Sequence, residues 1–226
     1  MNCEIINKEI EYEFILICAT GRSGSTTLQR IINTIPNTNI CGENNNAILN
    51  LLNFYKSLKH QNVTDNNKVY SIFVDKNIKP CWYNHFDMTQ IISDIKKMII
   101  HFLNFTNTNT ILGFKEIRYD KTNFHLLNEF KELFPKTKII IHIRNDIKSQ
   151  SQSDWFSKDK NSFKKLTKYN KEFLTFYEKK DNLNKYFSCF EDLFDINKIK
   201  ILFKFLNKEE FFNEIEILKI LNNNQQ

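Results

Sequence analysis

Residues that break or staple a chain are scarce here: 226 residues contain only 4 Gly and 3 Pro. That scarcity excludes a collagen-like polymer or a Gly/Pro-rich linker, and it makes each glycine a position that needs a reason. The 5 cysteines (Cys3, Cys18, Cys41, Cys81, Cys189) are odd in number and include no C-x-x-C pair. Neither a disulfide framework nor a thiolate zinc site is therefore indicated, and reduced thiols are expected. No apolar run approaches the roughly 20 residues of a membrane span. The opening stretch MNCEIINKEIEYE lacks a basic flank leading into an apolar signal region. The expectation is a cytoplasmic protein whose glycosylation sequons at Asn62 and Asn104 stay unused. A polybasic block and an Arg-rich helix are also missing. The net charge of +6 is spread along the chain, which favours a small anion over nucleic acid as a partner.

What is present is core material, with 41% hydrophobic residues and 21 Phe. The length fits one domain of the usual size, about 100–200 residues. We expect a single domain over 1–226, with its core at about 14–206, a helical C-terminal end over 207–221 and a disordered tail over 222–226. Glu13 to Ala19 reads as a buried strand, followed by a helix from Gly24 to Thr34 that Pro36 ends. A short second strand is expected in TNICGE, then a helix from Ala47 to Leu58. Residues 60–86, with aromatics from Tyr70 to Phe86, read as a long loop or lid. Helical periodicity covers Asp87 to Leu103, TILGFKEIRY is a strand, and Asn123 to Phe134 is a helix stopped by Pro135. Thr137 to Arg144 (TKIIIHIR) is the clearest strand, with a helix from about Asp146. A helix over Phe163 to Tyr177, a last strand in KYFSCFE and a helical remainder follow. Strands alternating with helices predict an α/β fold, a three-layer sandwich around a mainly parallel sheet of about five strands.

In such sheets ligands sit outside the carboxyl ends of the strands, and four expected strands end in reactive residues. The first ends in GRSGSTT. Glycines allow close backbone approach, the turn and helix N-terminus offer N–H groups to an anion, and Arg22, Ser23, Ser25, Thr26 and Thr27 add donors. An ordinary tight turn has the same glycine pattern. A kinase P-loop would need GxxxxGK[ST], and Ser25 stands where its Lys would be, after Gly24. The second strand ends at Glu43, which reads either as a helix cap or as a general base. The third ends in Lys115, Glu116 and Arg118. Alternation puts Lys115 and Ile117 on one face, so Lys115 can meet a ligand while Glu116 and Arg118 pair. The fourth ends at Arg144, with Ser149, Ser151 and Ser153 following, an arrangement able to grip a second phosphate. His142 reads as a satisfied core residue and His85 as a possible substrate contact.

Together these residues resemble the sulfotransferase family, whose donor is 3'-phosphoadenylyl sulfate (PAPS). GRSGSTTL is similar to its 5'-phosphosulfate loop, IRNDIKSQSQS to its 3'-phosphate motif, FPKTKIIIHIRN to the run leading into it, and FEDLFD to its YEDL. The spacing from the loop to CGE is similar to that of tyrosylprotein and some bacterial sulfotransferases. The likeness covers about Phe14 to Leu206 and implies a P-loop, nucleotide-kinase-like fold. It also implies sulfuryl transfer to a hydroxyl acceptor, leaving adenosine 3',5'-bisphosphate (PAP). By the same resemblance Glu43 is the base, while Arg22 and Lys115 stabilise the charge that develops. Residues 22–27 would hold the 5'-phosphate, and Arg144 with Ser151 or Ser153 the 3'-phosphate. No metal is expected, because a sulfuryl group carries less charge than a phosphoryl group.

The chain departs from the family at Gln152, which occupies the position of the usual Ser, and at Phe190, which replaces the Tyr of YEDL. Donor closure is expected from the basic stretch Lys158 to Lys168. A nucleoside or nucleotide kinase and a non-catalytic PAP-binding protein stay open as alternatives. The acceptor, whether saccharide, peptide tyrosine or small molecule, is left open.

Overall fold

A computed structural model describes residues 11–65, 87–104 and 108–223. Of the tail expected over 222–226, Asn222 and Asn223 close the last helix and the rest lies outside the described residues, as do most of the expected lid and His85. The elements run β1 (Glu13–Ala19), α1 (Ser25–Ile32), β2 (Thr38–Cys41), α2 (Ala47–Asp65), α3 (Met88–Leu103), β3 (Ile111–Glu116), α4 (Leu126–Leu133) and β4 (Thr137–Ile143). There follow α5 (Ile147–Ser151), α6 (Asp154–Ser157), α7 (Ser162–Glu178), β5 (Asn184–Cys189), a 3-10 turn (Phe190–Phe194), α8 (Ile196–Phe205) and α9 (Glu214–Asn223).

The five strands form one parallel sheet in the order β2-β3-β1-β4-β5. β1 is central because it is apolar on both faces, as a strand covered on both sides must be. Its alternation splits the core. Phe14, Leu16 and Cys18 face the layer built by α2, α3, α4 and α7. Ile15, Ile17 and Ala19 face α1, α8 and α9. The result is the expected three-layer α/β arrangement. On the first face Phe14 meets Phe130 edge-on at 5.4 Å, which accounts for part of the high Phe content.

Glycine at position 113 is required by the β1–β3 pairing itself. A Cβ there would lie 1.8 Å from the Ile15 carbonyl oxygen, well inside contact distance.

Two expectations are corrected. The helix begun at Ala47 continues past Leu58 to Asp65, taking in residues assigned to the loop. The helix expected from Asp146 is broken into α5 and α6, because Ser153 adopts an extended backbone and starts a new turn. Asn104 is buried, with its amide donating to the Asn109 carbonyl. Among the described residues no helix is long and apolar enough to cross a membrane.

Candidate active site

The carboxyl ends of the strands open into one cleft of about 670 Å³, lined by Arg22, Gly24–Thr27, Glu43, Lys115, Ile117, Arg144, Ser153, Trp155 and Phe190. The sheet order sets its layout: Glu43 after β2, Lys115 in β3, the loop after β1, Arg144 after β4 and Phe190 after β5. An elongated ligand along this edge would meet these groups in turn.

The loop is shaped by two left-handed residues, Arg22 (φ 61°) and Gly24 (φ 81°). At Gly24 a side chain is doubly excluded, since a Cβ would also lie 2.4 Å from the Phe190 ring. Among the described residues no side chain caps the N-terminus of α1, so its first N–H groups face the cleft that Ser25 and Thr26 line. Ser23 is different: it is fully buried and its hydroxyl finds no partner among the described groups. Its carbonyl is held from behind by His142. That ring donates from Nε2 to the Ser23 oxygen at 2.8 Å and accepts at Nδ1 from Ser188, 3.2 Å away. Burial pushes His142 down to about 4, which keeps it neutral and fixes these roles. Gln150 anchors the other side of the turn by donating to the Gly21 carbonyl at 2.6 Å and to Thr20 Oγ1 at 3.1 Å.

On the β2–β3 side, Lys115 Nζ lies 2.6 Å from Glu43 Oε1, and Arg118 donates to Glu43 Oε2 at 3.1 Å. Arg118 also bonds Glu116 at 2.7 Å. Glu116 is fully buried and accepts backbone N–H groups of Asn44, Asn46 and Ile117. It therefore organises the turn that carries Glu43. The alternation read from sequence holds, with Lys115 and Ile117 both in the cleft wall. Arg118 does more than expected, since it grips the candidate base as well as Glu116.

On the β4–β5 side, Arg144 projects over the face of Phe190, 4.4 Å from the ring centroid. Of the two serines left open, Ser153 lines the cleft and Ser151 lies outside the lining; both turn their hydroxyls onto a carbonyl three residues back, Ser151 onto Lys148 and Ser153 onto Gln150. The acidic pair after Phe190 is structural: Glu191 accepts the Asn145 and Asp146 N–H groups, and Asp192 accepts that of Cys189. The stretch Lys158 to Lys168 contributes no side chain to the cleft lining; Lys165 pairs with Asp159 at 2.6 Å. Trp155, 62% exposed, lines the cleft and packs near Gly21. It was missed in the sequence, although one of only 2 Trp falling directly after the Arg–Ser run was a usable signal. Gln150 gave none.

A parallel α/β sheet with an uncapped helix N-terminus, cationic side chains and a carboxylate–lysine pair at its carboxyl edge is built to handle an anionic ligand. The family is specific: the model of the sulfotransferase family matches residues 15–198, and the chain belongs to that family. Family membership makes it a sulfate-transferring enzyme of a group that generally uses PAPS. Among solved structures, a sulfotransferase domain from the curacin biosynthetic pathway superposes with a TM-score of 0.51 at 18% identity. The match covers 92% of this chain and 77% of that one, and it shows a shared fold. No curated protein matches the sequence.

Proposed function

We propose that the protein transfers a sulfuryl group from PAPS to an acceptor hydroxyl, with Glu43 as general base. The observation that supports this most is the linear order of the cleft, which sets Glu43 and Lys115 on one side of the loop and Arg144 on the other. A donor with phosphates at both ends of its ribose and a sulfuryl group beyond one of them matches that order. The N–H groups of the loop, with Ser25, Thr26 and Thr27, hold the 5'-phosphate. Arg144 and Ser153 hold the 3'-phosphate, which ATP lacks.

The acceptor hydroxyl gives its proton to Glu43 while its oxygen bonds to sulfur. The bond from sulfur to the 5'-phosphate oxygen breaks, and PAP leaves with that oxygen. Charge grows on the leaving oxygen and the sulfuryl group, and Arg22 and Lys115 offset it. Lys115 Nζ donates to Glu43 Oε1 at 2.6 Å, so one cation orients the base and stands beside the sulfuryl group.

Calorimetric titration tests the donor assignment. PAP is expected to bind without added metal and far more tightly than ATP. Tight binding of ATP only with magnesium, and none of PAP, would replace this reading with a kinase.

A further inference from the structure

Phe190 stands where the family's YEDL run carries Tyr, and its ring has two neighbours. One is Gly24 of the loop, where even a Cβ would fall 2.4 Å from the ring edge, so the ring sits directly on the glycine. The other is the guanidinium of Arg144, whose central carbon lies over the ring face 4.4 Å from the centroid. Phe194 packs edge-on against the same ring, 5.2 Å away at 77°, and limits its rotation.

Arg144 has little else to hold it. Among the described residues no carboxylate lies within ion-pair distance of it, and its Nε is buried with no hydrogen-bond partner. The nearby acids are committed elsewhere, Glu191 to the Asn145 and Asp146 N–H groups and Asp146 to Ser149. A carboxylate would fix an arginine by consuming its donors and cancelling its charge. An aromatic face fixes the plane of the guanidinium and leaves both untouched.

We infer that Phe190 is a positioning residue for donor specificity: it holds Arg144 with its charge and in-plane donors free for a 3'-phosphate, at a spacing set by the ring's seat on Gly24. This rests on the PAPS reading above. It also gives the departure from Tyr a consequence, since the ring keeps its place in the cleft through its face without a hydroxyl.

The test compares calorimetric affinities for PAP and for adenosine 5'-monophosphate, which lacks the 3'-phosphate, in the wild type, F190L and F190Y. Removal of the aromatic face in F190L is expected to weaken PAP by about tenfold. Its adenosine 5'-monophosphate affinity should stay within about twofold, and F190Y should retain the wild-type ratio of the two affinities. An unchanged ratio in F190L, whether both affinities hold or both fall, would overturn the inference, because a merely structural ring affects both ligands alike. Should F190L fail to fold, Phe190→Met fills similar space without a π face and is read in the same way. If the wild type shows no preference for PAP, the donor reading fails and this inference with it. A wild-type preference that survives F190L removes the inference alone.

Discussion

Lys115 Nζ lies 2.6 Å from Glu43 Oε1, joining the ends of two neighbouring parallel strands across the mouth of the cleft. The contact gives the lysine two tasks, orienting the carboxylate and meeting the charge that develops on the donor. Lys115→Ala is expected to lower turnover by about 10²–10³-fold, the usual cost of removing a group aimed at developing charge. Steady-state rates under saturating donor are the check, and a loss confined to KM would assign Lys115 to binding alone.

Arg144 and Ser153 line the cleft together, and Ser151 does not. Ser153→Ala should weaken PAP severalfold, by an order of about 1 kcal/mol, whereas Ser151→Ala should leave PAP binding unchanged. Arg144→Lys should lose most of the preference for PAP over adenosine 5'-monophosphate, because a point charge replaces a stacked planar fork. Equal effects of the two serine variants would contradict this placement.

The two constrained glycines should fail differently. Gly113→Ala forces a Cβ against the Ile15 carbonyl in the middle of the sheet. It is expected to cost more than about 3 kcal/mol in urea denaturation. Gly24→Ala strains a left-handed turn and displaces Phe190. There the expected loss is of PAP binding first, with a smaller stability change of about 1–2 kcal/mol.

His142 predicts an acid-sensitive fold. Its folded value is lowered from 6.5 to about 4, chiefly by burial, with the Ser23 hydrogen bond and the Asp192 and Glu191 charges opposing that shift. Below pH 6.5 the unfolded imidazole takes up a proton that the buried ring refuses until about pH 4. The stability from this residue is thus present above pH 6.5 and lost as the pH falls, by roughly 3 kcal/mol across the window. Denaturation curves between pH 4 and 7 should show that slope in the wild type and a shallower one in His142→Asn.

Much of this site could be read before the fold was known, because each group follows a strand and parallel strands deliver their ends to one edge. Apolar runs such as TKIIIHI give the strands, and GRSGS marks the turn. Less could be read where one residue's role depends on a partner far along the chain. Alternation pairs Arg118 with Glu116, two residues away, whereas its bond to Glu43 depends on the β2–β3 pairing. That Ser153 and not Ser151 lines the cleft depends on the break between α5 and α6, which a repeating SQSQS pattern hides. Gln150 looks like a surface residue by type, yet it is fully buried because the loop's own carbonyl needs a donor.

The central claim is that Glu43 removes the acceptor proton in sulfuryl transfer from PAPS. The most direct measurement is transfer of radiolabelled sulfate from PAPS to an acceptor, by the wild type and by Glu43→Gln, with PAP affinity measured on the same preparations. Transfer by the wild type, a fall of about 10²–10⁴-fold in Glu43→Gln and unchanged PAP affinity is the expected result. Normal turnover by Glu43→Gln, or no transfer by a wild type that binds PAP, would contradict it.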